Sequence, residues 1–149
     1  MARYTAEQKL MIEAIKGNFL RWIDCGDSIL LVDGFKGCYI KKENLIINLK
    51  SIKQADDTSR KYQPEIIEKN TYPARKSDDA RIIGTNIAIK IIASDGKYAY
   101  VRRDWLQDFG KYTNLRIGKN ERDPVLVQDI KGNCIGVICT VRIGDKKDE

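Results

Sequence analysis

The sequence predicts an α+β domain made of two similar halves, each with one helix and about three to four short antiparallel strands. Three observations carry this. Apolar residues recur at helical spacing after Thr5 and again after Asp104. Each helical stretch is followed by short apolar runs that are separated by Gly, Asp, Asn and Lys turn signals. A polar stretch over residues 51–80 divides the two passes. One domain is the expectation for 149 residues, covering 1–143, with 144–149 as a charged tail.

Thr5 opens the first helix, and Gln8 stands three residues on, as a capping box requires. Leu10, Met11, Ala14, Ile15, Phe19 and Trp22 then form one apolar stripe, which predicts a core-packed helix reaching Trp22. Lys9, Glu13 and Lys16 fall outside that stripe. Cys25-Gly26-Asp27 breaks the pattern, and Ser28–Val32 reads as a strand. Asp33-Gly34 is a turn signal, Gly37–Ile40 returns, and Lys41–Asn44 turns again. Leu45–Leu49 reads as a third strand with Leu45, Ile47 and Leu49 on one face. Ala2–Tyr4 offers a short strand ahead of the helix.

Residues 51–80 hold six basic and six acidic side chains, together with Pro64 and Pro73. Pro64–Glu68 suits one turn of helix, and the rest reads as a polar connector. Arg81–Ile92 alternates as one strand, with Ile83, Thr85, Ile87, Ile89 and Ile91 sharing a face. Ser94–Lys97 is a hairpin turn and Tyr98–Arg102 the return strand. Asp104 caps a short helix whose apolar side is Trp105, Leu106 and Phe109, with Gly110 at its end. Strands follow over Thr113–Ile117, Pro124–Asp129 and Asn133–Ile143, the last two joined at Lys131-Gly132.

No catalytic set emerges. The chain has no histidine, which removes the commonest general base and metal ligand. Four cysteines occur without a CxxC pair, so neither a zinc site nor a redox motif is expected. Cys139 shares a strand face with Ile135, Val137, Val141 and Ile143 and reads as a small core residue, with Cys134 on the other face. Asp56-Asp57 and Asp78-Asp79 lie in the connector with no further ligands at strand or helix spacing. Gly34-x-x-Gly37 lacks the Lys-Ser/Thr of a phosphate loop and joins two strands. Neither a metal nor a cofactor is expected. No apolar run reaches the roughly 18–20 residues of a membrane span, and no secretory leader is visible, so a cytoplasmic protein without membrane contact is the expectation.

Net charge is +6, and the surplus lies mainly in residues 81–149, with 13 basic against 9 acidic groups. A basic excess suits a polyanionic partner or plain solubility. Tyr98 and Tyr100 alternate on one strand face, where they can stack bases or simply pack the sheet.

The second half also resembles a known family. Tyr98–Phe109 (YAYVRRDWLQDF), Leu115–Ile117, Asp123–Val127 (DPVLV) and Gly132–Ile143 (GNCIGVICTVRI) are similar to the end of a bacterial sliding-clamp subunit. Ser28–Ile40 (SILLVDGFKGCYI) resembles that family's strand–Asp-Gly–strand hairpin. The resemblance implies a DNA-clamp-like fold with two pseudo-symmetric halves. It departs from the family in size, since clamp protomers are built from two or three such domains and this length suits one. The family's terminal Met-Pro-x-Arg reads Cys139-Thr140-Val141-Arg142 here, where only Arg142 fits.

What the resemblance implies is a non-enzymatic accessory or interaction module of DNA replication or processing. Its two helices would face DNA and meet phosphates through Lys9, Lys16, Arg21, Arg102, Arg103 and Lys111. A partner groove would form on the opposite side from Phe35, Val137, Cys139 and Arg142, with Val32 and Val141 beside them. Phe35 stands out because a large aromatic in a turn needs burial or a partner. DNA and a replication protein are thus the expected partners, with self-association as a further expectation. The alternative is a phage or mobile-element interaction protein that occupies a host protein without binding DNA.

Overall fold

Helix α1 runs over Ala6–Ile15 and begins as its cap dictates. The Thr5 hydroxyl accepts the Gln8 N–H at 3.1 Å, and the Gln8 side chain accepts the Thr5 N–H at 3.0 Å. The computed structural model describes residues 4–17, 20–55, 57–110 and 113–143. Ala2 and Arg3 of the expected first strand, Phe19, Asp56, Lys111 and the 144–149 tail lie outside the described residues.

The helix is shorter than its apolar stripe suggests. Gly17 takes the left-handed conformation (φ +85°) and ends it. Ile15, the last helical residue, is 64% exposed. Trp22 therefore belongs to strand β1 (Arg21–Asp24), and Arg21 is a strand residue too. Strand β2 (Ser28–Val32) and strand β3 (Lys36–Lys41) complete an antiparallel meander.

Leu45–Leu49 forms no strand. It runs irregularly into a 3-10 turn at Leu49–Ser51. The free edge of β1 is taken instead by strand β4 (Lys53–Gln54), which pairs with it in parallel. The alternation still acts, because Leu45, Ile47 and Leu49 pack on the core while Ile46 is 70% exposed.

The 51–80 segment is more structured than a connector. It holds helix α2 (Pro64–Lys69) and most of strand β5 (Tyr72–Ile83). Several bonds tie it down. The Tyr39 hydroxyl donates to the Tyr62 carbonyl (2.6 Å). The Trp22 indole N–H donates to the Ile52 carbonyl (3.1 Å). Arg116 caps the end of α2 through the Thr71 carbonyl (2.6 Å) and hydroxyl (3.0 Å). Arg81–Ile92 is accordingly not one strand. Gly84 (φ +60°) and Thr85 turn the chain, and strand β6 (Asn86–Ala93) folds back on β5.

Strand β7 (Tyr98–Arg102), helix α3 (Arg103–Gln107), and strands β8 (Thr113–Ile117), β9 (Val125–Asp129) and β10 (Cys134–Ile138) follow. All ten strands join one mixed sheet in the order β4-β1-β2-β3-β10-β9-β8-β5-β6-β7. The fold is thus α+β, mostly sheet with few helices. The sheet curls until the segment after β10 reaches β7, where the Val141 N–H meets the Tyr100 carbonyl at 2.8 Å.

β10 stops at Ile138 rather than Ile143. A bulge between Cys134 and Gly136 resets its alternation. Cys134 and Val137 then pack with one cluster, and Ile135 and Ile138 with another. Cys139 lies past the strand and is exposed, not core.

Three apolar clusters divide the core. One sets α1 against Ile29, Leu31, Cys38 and Ile40. The second joins Leu106 of α3 to Ile91, Val101, Leu115, Val127 and Ile138. Phe109 packs against both. The third lies on the opposite face, where Ile67 of α2 covers Ile23, Leu30, Leu126 and Val137. Both α1 and α3 therefore sit on one face and α2 on the other. Gly136 is required at the joint, because a Cβ there would fall 2.2 Å from the Phe109 ring and 2.6 Å from the Gly37 carbonyl.

Candidate nucleic-acid interface

On the helix side, the start of α1 meets the end of α3. The Ala6 N–H donates to the Asp108 carbonyl (3.2 Å), and Lys9 Nζ pairs with Asp108 Oδ1 (2.5 Å). Arg102 is held by Asp104 through Nε–Oδ1 (3.0 Å) and Nη2–Oδ2 (2.5 Å). The Arg102 guanidinium also lies 4.5 Å from the centre of the Trp105 ring. Hydrogen bonding to Arg102 holds the Asp104 carboxyl below its ordinary pKa.

Trp105 in turn stacks on Phe35 from the β2–β3 turn, with centroids 5.4 Å apart and planes inclined by 28°. That turn is built by Asp33, whose carboxylate accepts the N–H groups of Phe35 (2.9 Å) and Lys36 (3.0 Å) and pairs with the Lys36 ammonium (2.8 Å). Burial raises the Asp33 pKa, but these partners outweigh it and the carboxyl titrates below its ordinary value. Phe35 remains 58% exposed.

The six expected phosphate contacts are thus not equivalent. Lys9 and Arg102 are committed to carboxylates. Arg21 lies on β1, where alternation puts it on the face of Ile23, away from α1. Lys16 caps the end of α1 and Arg103 starts α3, both exposed. Lys111 lies outside the described residues.

The expected partner groove also comes apart. Val137 is buried in the third cluster. Phe35 and Cys139 are brought together, with the Cys139 N–H on the Phe35 carbonyl (2.7 Å) and Sγ against the Gly34 carbonyl (3.6 Å). Although Cys139 is exposed as a residue, its thiol end is covered enough to raise its pKa. Arg142 lies elsewhere.

Arg142 lines a second groove of about 310 Å³ on the face opposite α1 and α3. Arg81, Lys90, Tyr98 and Tyr100 form its floor, from the β5–β6–β7 hairpins. Glu121 and Arg122 from the β8–β9 loop make one wall, and Thr140–Ile143 the other. Register explains the grouping, since Lys90 pairs with Tyr100, Ile92 with Tyr98, and Arg81 with Ala88.

The floor is ordered by its own contacts. The Tyr100 hydroxyl donates to Asp79 (3.0 Å), which also holds Arg81 Nε (3.5 Å). The Arg81 guanidinium lies 5.5 Å from the Tyr100 ring centre, and Lys90 Nζ lies 4.4 Å from that of Tyr98. The two tyrosines meet edge to face at 5.8 Å. Burial and the bond to Asp79 both raise the Tyr100 pKa. Tyr100 is 6% exposed, whereas Tyr98 is 40% exposed.

Among the described residues, neither Lys90, Arg122 nor Arg142 has an ion-pair partner. Arg81, Lys90 and Arg122 were not among the residues that sequence pattern singled out. Lys90 alone carried a signal, as a lysine inside the isoleucine-rich run Ile87–Ile92 and on the face opposite Ile89 and Ile91. Comparison with known proteins adds no identity, for no family model, no curated protein and no solved structure matches this chain.

Proposed function

We propose that this chain is a non-enzymatic, clamp-like accessory module of DNA replication or processing that holds nucleic-acid backbone in the Arg81–Lys90–Arg122–Arg142 groove. The observation that supports it best is the lining of that groove, where Lys90, Arg122 and Arg142 have no ion-pair partner among the described residues and Arg81 shares Asp79 with Tyr100. Cations without carboxylate partners are what phosphates can use, because each phosphate neutralised releases condensed counterions. Such contacts position the backbone without reading sequence.

The clamp-like part of the reading draws on topology. A helix followed by three antiparallel strands occurs twice, as α1-β1-β2-β3 and α3-β8-β9-β10. The last strands of the two runs are neighbours, and both helices pack on the same face. A second reading, a protein that occupies a partner protein without binding DNA, is favoured by one feature, the exposed Phe35 on its Trp105 stack.

Fluorescence anisotropy of labelled single-stranded oligonucleotides tests the proposal. Three to four phosphate contacts predict that affinity falls about 20- to 50-fold between about 50 and 200 mM salt. The double variant R122A/R142A should weaken binding and flatten that salt dependence by about 1.4 in log–log slope. Absence of salt-dependent binding, together with recovery of one stoichiometric protein partner that F35A releases, would replace this reading with the second one.

A further inference from the structure

We infer that the groove takes a single strand of nucleic acid, with one base seated against Tyr98. This rests on the reading of the groove as a backbone site and adds the class of ligand.

Three features of the groove carry it. The first is size. About 310 Å³ lies at the lower end of what encloses a small ligand. That volume is room for one base with its sugar, in a groove that the Glu121–Arg122 loop and the Thr140–Ile143 segment both line. A duplex keeps its bases stacked inside and offers only its phosphates to such a site. It would have to extrude a nucleotide, at the cost of unpairing and unstacking, before any base reached the floor.

The second feature is the aromatic platform. Tyr98 is 40% exposed within a ring of cations, which is the pairing of stacking surface and positive groove that single-strand binders use. Its ring is held in place beforehand. Tyr100 packs edge-on against it, and Tyr100 is itself locked by the Asp79 hydrogen bond and the Arg81 guanidinium. Lys90 Nζ lies over one face of the Tyr98 ring at 4.4 Å, so a base stacked on that face displaces the ammonium, which then serves the adjoining phosphate. Ordering these side chains in advance removes a cost that binding would otherwise bear.

The third feature is the tolerance of the platform. The lining has no Asn or Gln to read adenine, and its arginines are assigned here to phosphates, which leaves the Tyr98 ring as the main contact to the base. Stacking tolerates any base, so the groove is expected to accept many sequences with only modest preference.

The test is anisotropy with a labelled oligo(dT) and a labelled duplex of the same length, on the parent protein and on Y98A, Y98F and K90Q. Circular dichroism checks that each variant is folded. The single strand is expected to bind more tightly than the duplex. Y98A should weaken single-strand binding about 5- to 150-fold, the range that loss of one stacked base gives. Y98F keeps the ring and should stay within about twofold of the parent, and K90Q should lower the salt slope by about 0.7. Equal binding of strand and duplex, indifferent to Y98A, would overturn this inference and leave the backbone site standing. Absence of salt-dependent binding to either ligand would remove both.

Discussion

The helix side and the tyrosine groove both gather lysines and arginines around an aromatic pair, but they treat their charges differently. On the helix side, Lys9 is matched by Asp108, Arg102 by Asp104 and Lys36 by Asp33. Lys9–Asp108 fastens α1 to the end of α3, whereas the other two pairs hold the start of α3 and the β2–β3 turn within themselves. In the groove, Lys90, Arg122 and Arg142 have no such partners among the described residues, and Arg81 shares Asp79 with Tyr100. What makes a basic patch useful to a polyanion is therefore the carboxylates around it more than its count of cations. Exposed ion pairs contribute little to stability, yet they suffice to occupy a cation that a phosphate would need.

The contrast can be broken most severely at the helix-side joint. Gly136→Ala would push a methyl into the Phe109 ring and the Gly37 carbonyl. Since the backbone is one of the two obstacles, the variant should lose about 3 kcal/mol in urea unfolding, the upper end of the usual overpacking cost. Nucleic-acid affinity per folded molecule should be retained, because the groove lies on the other face.

Releasing the helix-side cations should sharpen the comparison. In D104N/D108N both Arg102 and Lys9 lose their carboxylate partners. If pairing is what silences them, the salt slope of nucleic-acid binding should steepen by about 1 to 2. An unchanged slope would mean that geometry, not pairing, keeps this face silent. R102A in the parent should leave affinity within about twofold.

Phe35→Ala should cost less. The ring is largely exposed, so its loss removes chiefly the stack on Trp105, worth about 0.5–1.5 kcal/mol. Thermal melting checks the stability, and anisotropy should show no change in nucleic-acid binding.

The smallest effect is on acid stability. The Asp33 carboxyl has a folded pKa below its ordinary 3.8. Its contribution is fully present above 3.8 and is lost as pH falls through the lowered folded value. D33N should therefore be less stable than the parent at neutral pH, and the two should converge in strong acid. Urea midpoints across that range decide it, and a gap that persists in acid would show that the charge is not the cause.

Much of the fold could be read from the chain where the cause was local. Strands β2, β7 and β8 occupy the residues expected for them, because turn signals or, after β7, a helix start bound each apolar run. The Thr5–Gln8 capping box formed as written. Other readings failed where a neighbour decided. Trp22 fits a helical stripe and a strand alike, and the closure of α1 at Gly17 settled which. Arg81–Ile92 alternates throughout, so its pattern concealed the turn at Gly84. Tyr72–Ala80 looked like linker because its side chains are mainly exposed, yet the β6 partner makes it a strand. Counting in twos along β10 puts Cys139 in the core, but the strand ends at Ile138 and the count no longer holds there.

The candidate groove was less legible than the fold. Arg142 stands out through the family resemblance and the Tyr98–Tyr100 pair through strand alternation, but Arg81, Lys90 and Arg122 do not. They belong to one site only because the β5–β6–β7 hairpins are in register and the sheet curls until the chain after β10 reaches β7.

Composition, caps, turn glycines and strand alternation made this an α+β chain with a basic surplus and no histidine chemistry. Those features act through residues one or two turns apart, so the order of amino acids carries them directly. Which cations are spent on ion pairs, which tyrosine stays open, and which distant residues share a groove were decided by the tertiary structure. Those outcomes depend on strand register, sheet curl and the packing of α1 against α3, where residues far apart in the chain become nearest neighbours.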